Sequence, residues 1–185
     1  MSEPLPKLSR TWWYVGIGFV LFWALCLYLF LPPPRKLLEN SGISTPANYD
    51  WSLVDLSDQP VLFSKFKHKA IFLNFWATWC GPCLGEMPSI DKLARNPRLQ
   101  GKNIEFVCVS TDESTEAVRQ YVAGKNWSMT ILRTGQVPSV FLSEGLPTTI
   151  VIAPDGHIAA FEVGAADWSE PHVVAFLEKV AAEAR

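Results

Sequence analysis

Two cysteines in the stretch Asn74–Pro88, NFWATWCGPCLGEMP, have a spacing that can do chemistry. Only Gly81 and Pro82 separate Cys80 from Cys83. Such a pair exchanges electrons as a dithiol, supplies half of a metal site, or braces a fold as a disulfide. Four cysteines in 185 residues make no disulfide scaffold. A closed zinc site wants four ligands. The chain has no second C-x-x-C, and His68, His157 and His172 do not fall at ligand spacing. No metal ligand and no cofactor is assigned. Copper transfer through the two thiolates stays open as a secondary role.

The redox reading places Cys80 at the mouth of a helix and Cys83 one turn inside it. Free N–H groups and the helix dipole at that end favour a thiolate, which makes Cys80 the attacking sulfur. Cys83 then resolves the mixed disulfide. Pro82 stiffens the turn and removes one donor in need of a partner. Glu86 follows Cys83 by three residues, so the two can share a helix face. It can tune the cysteines and relay a proton, or it can be an ordinary acidic residue near a helix start. Cys108 alternates with Ile104 and Phe106 in IEFVCVS and reads as a buried, inert thiol.

The flanking sequence supplies the elements that hold this pair. Ala70–Trp76, AIFLNFW, is an apolar run that suits a strand buried on both faces. PCLGEMPSIDKLAR has a helical period, with a kink expected at Pro88. WSLVDLSDQPVLFSKFK reads as an opening strand or hairpin turning at Ser57–Pro60. IEFVCVS is a strand and TEAVRQYVAGKNW a helix capped from Thr111, Asp112 or Ser114. MTIL is a short strand, and RTGQVPSVFLSEG has room for a short helix. PTTIVIAPDGHIAAFEVG is a hairpin around Pro-Asp-Gly. A last helix is expected from about Glu170 to Ala184, capped by Asp167 or Ser169 with Pro171 in its first turn. The order predicts an α/β fold, a mixed central sheet with helices on both faces.

The N-terminal segment differs in kind. Trp12–Leu31 carries no charge and has aromatics at one end. At 1.5 Å per residue it spans roughly 30 Å, one bilayer core. No small-residue cleavage site follows, so an uncleaved signal anchor is expected, with Cys26 facing lipid or a partner helix. Lys7 and Arg10 before it balance Arg35 and Lys36 after it, so charge does not set orientation. The expected layout is a tail at 1–11, an anchor at 12–31, a linker at 32–49 opened by three prolines, and a domain at 50–185. The net charge of −2, with no basic block, argues against nucleic acid as a partner.

NFWATWCGPCLGEMP, together with GLPTTIVIAPDG downstream, resembles the thioredoxin superfamily, in particular membrane-anchored thiol-disulfide oxidoreductases of the TlpA/ResA type. The likeness runs over roughly residues 50–183. It implies a thioredoxin fold anchored in the cytoplasmic (inner) membrane by one helix, with the catalytic domain on the periplasmic or extracytoplasmic side. It implies protein disulfides as substrates, for example cytochrome c precursors or copper-site cysteines, and a membrane electron donor. It makes Pro147 a cis-proline facing the active site, although the bare sequence says only that a Pro opens a strand. Leu146 would pair with an extended substrate segment, Trp79 would flank Cys80 where substrates dock, and Glu86 would lie near the cysteines. Thioredoxin's own buried Asp is replaced here by Asn74, which cannot titrate. Gly81-Pro82 matches thioredoxin and favours a reducing role; a disulfide-forming oxidant and a non-enzymatic copper-handling module are the alternatives. Asn126-Trp127-Ser128 fits a glycosylation sequon of a kind common by chance.

Overall fold

The computed structural model describes residues 10–30, 38 and 45–183. Residues 1–9 of the expected tail, most of the expected linker, Leu31 and Ala184 lie outside the described residues, and the helix begins at Arg10, inside the expected tail. The chain divides into two compact units, residues 1–36 and 37–185. In the first, α1 (Arg10–Phe30) is a single helix. Its Trp12–Phe30 stretch is long and apolar enough to cross a membrane, with a mean hydropathy of 2.0.

In the second unit the described residues form a seven-stranded sheet. Its strands are β1 (Ser52–Val54), β2 (Pro60–Leu62), β3 (Ala70–Trp76), β4 (Ile104–Ser110), β5 (Thr130–Arg133), β6 (Thr148–Ile152) and β7 (Ile158–Val163). They lie in the order β2-β1-β5-β4-β3-β6-β7. The β3–β4 and β4–β5 pairs are parallel; β3–β6, β6–β7, β1–β2 and β1–β5 are antiparallel. β3 is central and buried along its whole length, which is why its sequence is almost unbroken apolar.

Alternation along β3 sorts the core. Ala70, Phe72 and Trp76 join one apolar cluster, and Ile71, Leu73 and Phe75 join the other. The helices are α2 (Gly81–Ala94), α3 (Thr115–Val122) and α4 (Pro171–Ala182). The buried apolar residues of all three belong to the first cluster. This corrects the expectation of helices on both faces. The β3–α2–β4 and β4–α3–β5 crossovers step the same way across the sheet, and right-handed crossovers then put both helices on one side. The opposite face is closed by Trp51 and by short 3-10 turns at Phe63–Phe66 and Ser139–Phe141.

Local signals hold in part: the helix expected over residues 115–127 ends at Val122. Asp55 accepts from the backbone N–H groups of Ser57 and Gln59 to fold the β1–β2 turn. Ser114 caps α3 through Glu116 N–H. α2 runs unbroken through Pro88. α4 starts at Pro171, and Glu170 precedes it without a side-chain cap. Asp167 and Ser169 do not cap it: Asp167 accepts from Ser169 N–H and Oγ in a local turn. Gly156 closes the β6–β7 hairpin at φ 93°, where a side chain would be strained.

The chain ahead of β1 is attached to this sheet. Leu38 is 4 % exposed and packs into the helix-side cluster. Its N–H donates to Glu162 Oε1 on β7 at 2.9 Å. Thr45 O accepts from Ile158 N–H, and Pro46 bridges His157, so residues 45–46 lie along the free edge of β7.

Candidate active site

β3 ends at Trp76, and Ala77–Trp79 carries the chain to Cys80 at the N-cap of α2. Cys80 Sγ accepts from Cys83 N–H at 3.3 Å, so the sulfur itself meets a helix-end donor. Pro82 lies in the first turn and brings no donor. Cys80 and Cys83 are joined in a disulfide, with Cα atoms 5.3 Å apart. Cys80 retains 6 % exposure and Cys83 none, so a partner reaches the pair through Cys80. Trp79 beside it is 72 % exposed, while Trp76 is fully buried in the same cluster as both cysteines.

The loop that presents Cys80 is held from β4. Asp112, buried just past the end of β4, accepts from Thr78 N–H at 2.9 Å and from Thr78 Oγ at 2.7 Å. Ser110 Oγ donates to the same carboxylate at 2.6 Å, and Thr111 N–H donates to Trp76 O. A cis peptide joins Leu146 to Pro147. Because β6 opens at Thr148 opposite Phe75, this peptide lies at the same end of the sheet as the loop to Cys80. Pro147 is buried, its carbonyl accepting from Gly164 N–H, and Leu146 is half-buried.

Glu86 is not an ordinary surface acid. It is 3 % exposed, on the face of α2 that meets β3. Asn74 Nδ2 donates to Oε1 at 2.8 Å; Trp168 Nε1 donates to Oε2 at 2.8 Å, and Ala166 N–H to Oε2 at 3.2 Å. Burial raises its pKa, and the three N–H donors pull it back in part. Asn74 Nδ2 also donates to Thr149 Oγ, while Asn74 Oδ1 is buried without a partner among the described residues. Cys108 is buried opposite Asn74 on β4; burial, and then the charge of Glu86, push its thiol upward, so it stays protonated.

The structure thus brings Cys80, Cys83 and Glu86 onto one helix. Trp79 and the Leu146–Pro147 peptide lie at the sheet end from which that helix starts. Sequence reasoning missed Trp168 and Asp112. No cluster of three or more His, Cys, Asp or Glu suited to a metal occurs among the described residues. The arrangement can carry out thiol–disulfide exchange.

A mixed sheet with a C-x-x-C disulfide at the N-cap of a helix, and a cis-proline at the same end of the sheet, defines the thioredoxin class of redox domain. A family model described as Redoxin matches residues 42–177, and the chain belongs to this family, as a TlpA/ResA-type member of the thioredoxin superfamily. The thiol-disulfide oxidoreductase ResA of Bacillus subtilis is 33 % identical over 163 residues, 86 % of this chain and 88 % of that protein. ResA of Bacillus thuringiensis subsp. konkukian is 32 % identical over 108 residues, 57 % of this chain; the match spans only 61 % of that relative's length. Among solved structures, a candidate thiol-disulfide oxidoreductase of Bacteroides vulgatus superposes with a TM-score of 0.64 at 28 % identity, covering 75 % of this chain and 96 % of that one.

Proposed function

We propose that this chain is a thiol-disulfide oxidoreductase, anchored by residues 12–31 in the cytoplasmic membrane with its redox domain on the extracytoplasmic side, and that it reduces disulfides in other proteins. The observation that carries the reading is the Cys80–Cys83 disulfide at the N-cap of α2, with the outer sulfur on the accessible residue. In the reduced state the Cys80 thiolate attacks a substrate disulfide. One substrate sulfur joins Cys80 and the other leaves as thiolate. Cys83 then gives up its proton and attacks Cys80 Sγ, releasing the second substrate thiol and closing the disulfide. Two electrons pass to the substrate, and a membrane dithiol donor restores the protein. Glu86, one turn beyond Cys83, takes the role of proton acceptor and donor in that second step.

Trp79 and the backbone of Leu146 before Pro147 form the substrate-docking surface, by addition of an extended segment. Cytochrome c precursors and copper-site cysteines are the proposed target classes. The proposed functional layout is a linker over 32–49 and a redox domain over 50–185, with the linker tied to the domain at Leu38 and residues 45–47.

The test is the reduction potential of the Cys80–Cys83 couple in full-length protein in detergent. A value near or below about −250 mV supports the reductant. A value near about −120 mV assigns disulfide formation instead. Stoichiometric Cu(I) binding with negligible disulfide reduction would replace the enzyme by a copper-handling module.

A further inference from the structure

We propose that Trp168, in the loop between β7 and α4, is a positioning residue that sets the protonation state of Glu86 through its indole N–H. The proposal rests on the proton-handling role given to Glu86 above. It goes beyond that role by assigning the control to a different, distant part of the chain.

The geometry is that of a fixed donor. Trp168 is fully buried. Its ring packs edge-on against Phe72 of β3, centroids 5.2 Å apart at 81°. Its backbone N–H donates to Ser89 Oγ at 3.1 Å, and Ser89 Oγ donates in turn to Glu86 O at 2.7 Å. The indole is thus braced from the sheet and from the turn of α2 that carries Glu86. An indole N–H donates and never accepts. Trp168 Nε1 therefore bonds more strongly to Oε2 of the ionised carboxylate than to the carbonyl oxygen of the neutral acid, because the charge-assisted bond is the stronger. Ala166 N–H, from the same loop, acts on the same oxygen.

No cationic side chain forms an ion pair with Glu86 among the described residues, so neutral donors alone oppose the cost of burying its charge. Each element around it can be named. α2 presents Cys83 one turn before Glu86, and β4 presents Cys108, whose thiol feels the carboxylate. β3 and β6 present the neutral Asn74 and Thr149. α4 packs Val173, Val174 and Leu177 into the same cluster. The loop adds Asp167, which lines a groove of about 550 Å3 together with Pro82, Gly85, Pro88 and Ser89, with Glu86 in its wall. That groove gives the carboxyl a route for exchanging protons with water. The loop that walls the groove also supplies two of the three donors, so it governs both the access of protons to Glu86 and their retention.

The experiment is an infrared pH titration of the Glu86 carboxyl band in full-length, disulfide-state protein in detergent, with Glu86→Gln as the subtraction reference. Trp168→Phe keeps the edge-on ring against Phe72 and deletes the donor. Its midpoint is expected to move to higher pH by about one unit, the loss of one hydrogen bond to a charged group. The pH profile of disulfide exchange should move the same way, and Trp168→Phe should add no shift in a Glu86→Gln background. If Trp168→Phe is too unstable to titrate, the benzothienyl analogue of tryptophan at 168 keeps the bicyclic shape and removes only the N–H. An unchanged or more acidic midpoint, even with a lowered melting temperature, overturns the proposal and leaves Trp168 a packing residue. If the wild type shows no disulfide exchange at all, the function proposed above fails, and the infrared titration still decides this one.

Discussion

Asn74, in the middle of an otherwise apolar strand, gives one amide hydrogen to Oε1 of Glu86 at 2.8 Å and leaves its own Oδ1 buried with no partner among the described residues. An arrangement of donors only suits an ionised carboxylate, yet burial favours the neutral acid. Glutamine resolves the conflict. Its Oε1 can accept from Trp168 and Ala166, and its amide can donate to Asn74 once the Asn74 amide turns to present Oδ1.

Glu86→Gln is therefore expected to match or exceed the wild type in stability near neutral pH. The sign follows from linkage. A carboxyl whose folded pKa is raised binds its proton more tightly in the native state. The wild type is then at full strength below the ordinary Glu range and loses stability as pH rises through the raised folded value. Glutamine has no such loss, so the gap in its favour should widen as pH rises from the ordinary Glu range through the raised folded value, and then level off. Denaturant unfolding at several pH values checks this; a gap that narrows as pH rises counts against the buried, strained carboxylate. Disulfide exchange should fall in the same variant, because the amide cannot carry the proton.

Cys83→Ser should leave Cys80 able to attack but unable to be released. Incubation with a protein disulfide is expected to accumulate a mixed disulfide through Cys80, visible on a non-reducing gel and cleared by dithiothreitol. Cys80→Ser should accumulate none. Equal trapping through Cys83 in that second variant would reverse the assigned roles, against the complete burial of Cys83.

Asp112→Ala removes the carboxylate that accepts from Thr78 twice and from Ser110 once. Leaving these donors in a buried site should cost about 2–3 kcal/mol in unfolding free energy. The loop carrying Trp79 and Cys80 loses its tie to β4, so amide exchange at Thr78–Cys80 should accelerate more than in α4. Uniform acceleration across the domain would show a general loss of stability rather than a local clamp.

Trp79→Ala touches little, since the ring is largely in solvent. Stability should stay within about 0.5 kcal/mol of the wild type. KM for a protein disulfide is expected to rise several-fold while reduction of a small aromatic disulfide is unchanged. An equal loss on both substrates would place Trp79 in the chemistry rather than in docking.

Much of this molecule could be read along the chain because the signals were local. The β3 run, the helical period after Cys80, the Pro-Asp-Gly hairpin and Cys80 at a helix mouth each depend on neighbours within a few residues. What escaped was set by distance in sequence. Nothing near Glu86 announces that its second oxygen is taken by Trp168, 82 residues later. Asp112 looked like a helix cap for α3, because its partner Thr78 lies 34 residues upstream. The one-sided placement of the helices depended on β5 lying beyond β4 in the sheet, and pairing order is not written in hydrophobic pattern.

In the anchored form proposed above, Leu38 has a bearing on shedding from the membrane. Its side chain fills part of the helix-side core, and its N–H engages Glu162 on β7. A protease that cuts between residues 31 and 37 would release a domain with its core intact. One that cuts between 38 and 45 would release a domain with a vacancy in the helix-side core, weaker by about 2 kcal/mol for a lost leucine, and with the Glu162 carboxylate deprived of its backbone donor. The position of the cut, a few residues either way, thus sets the stability of the released domain.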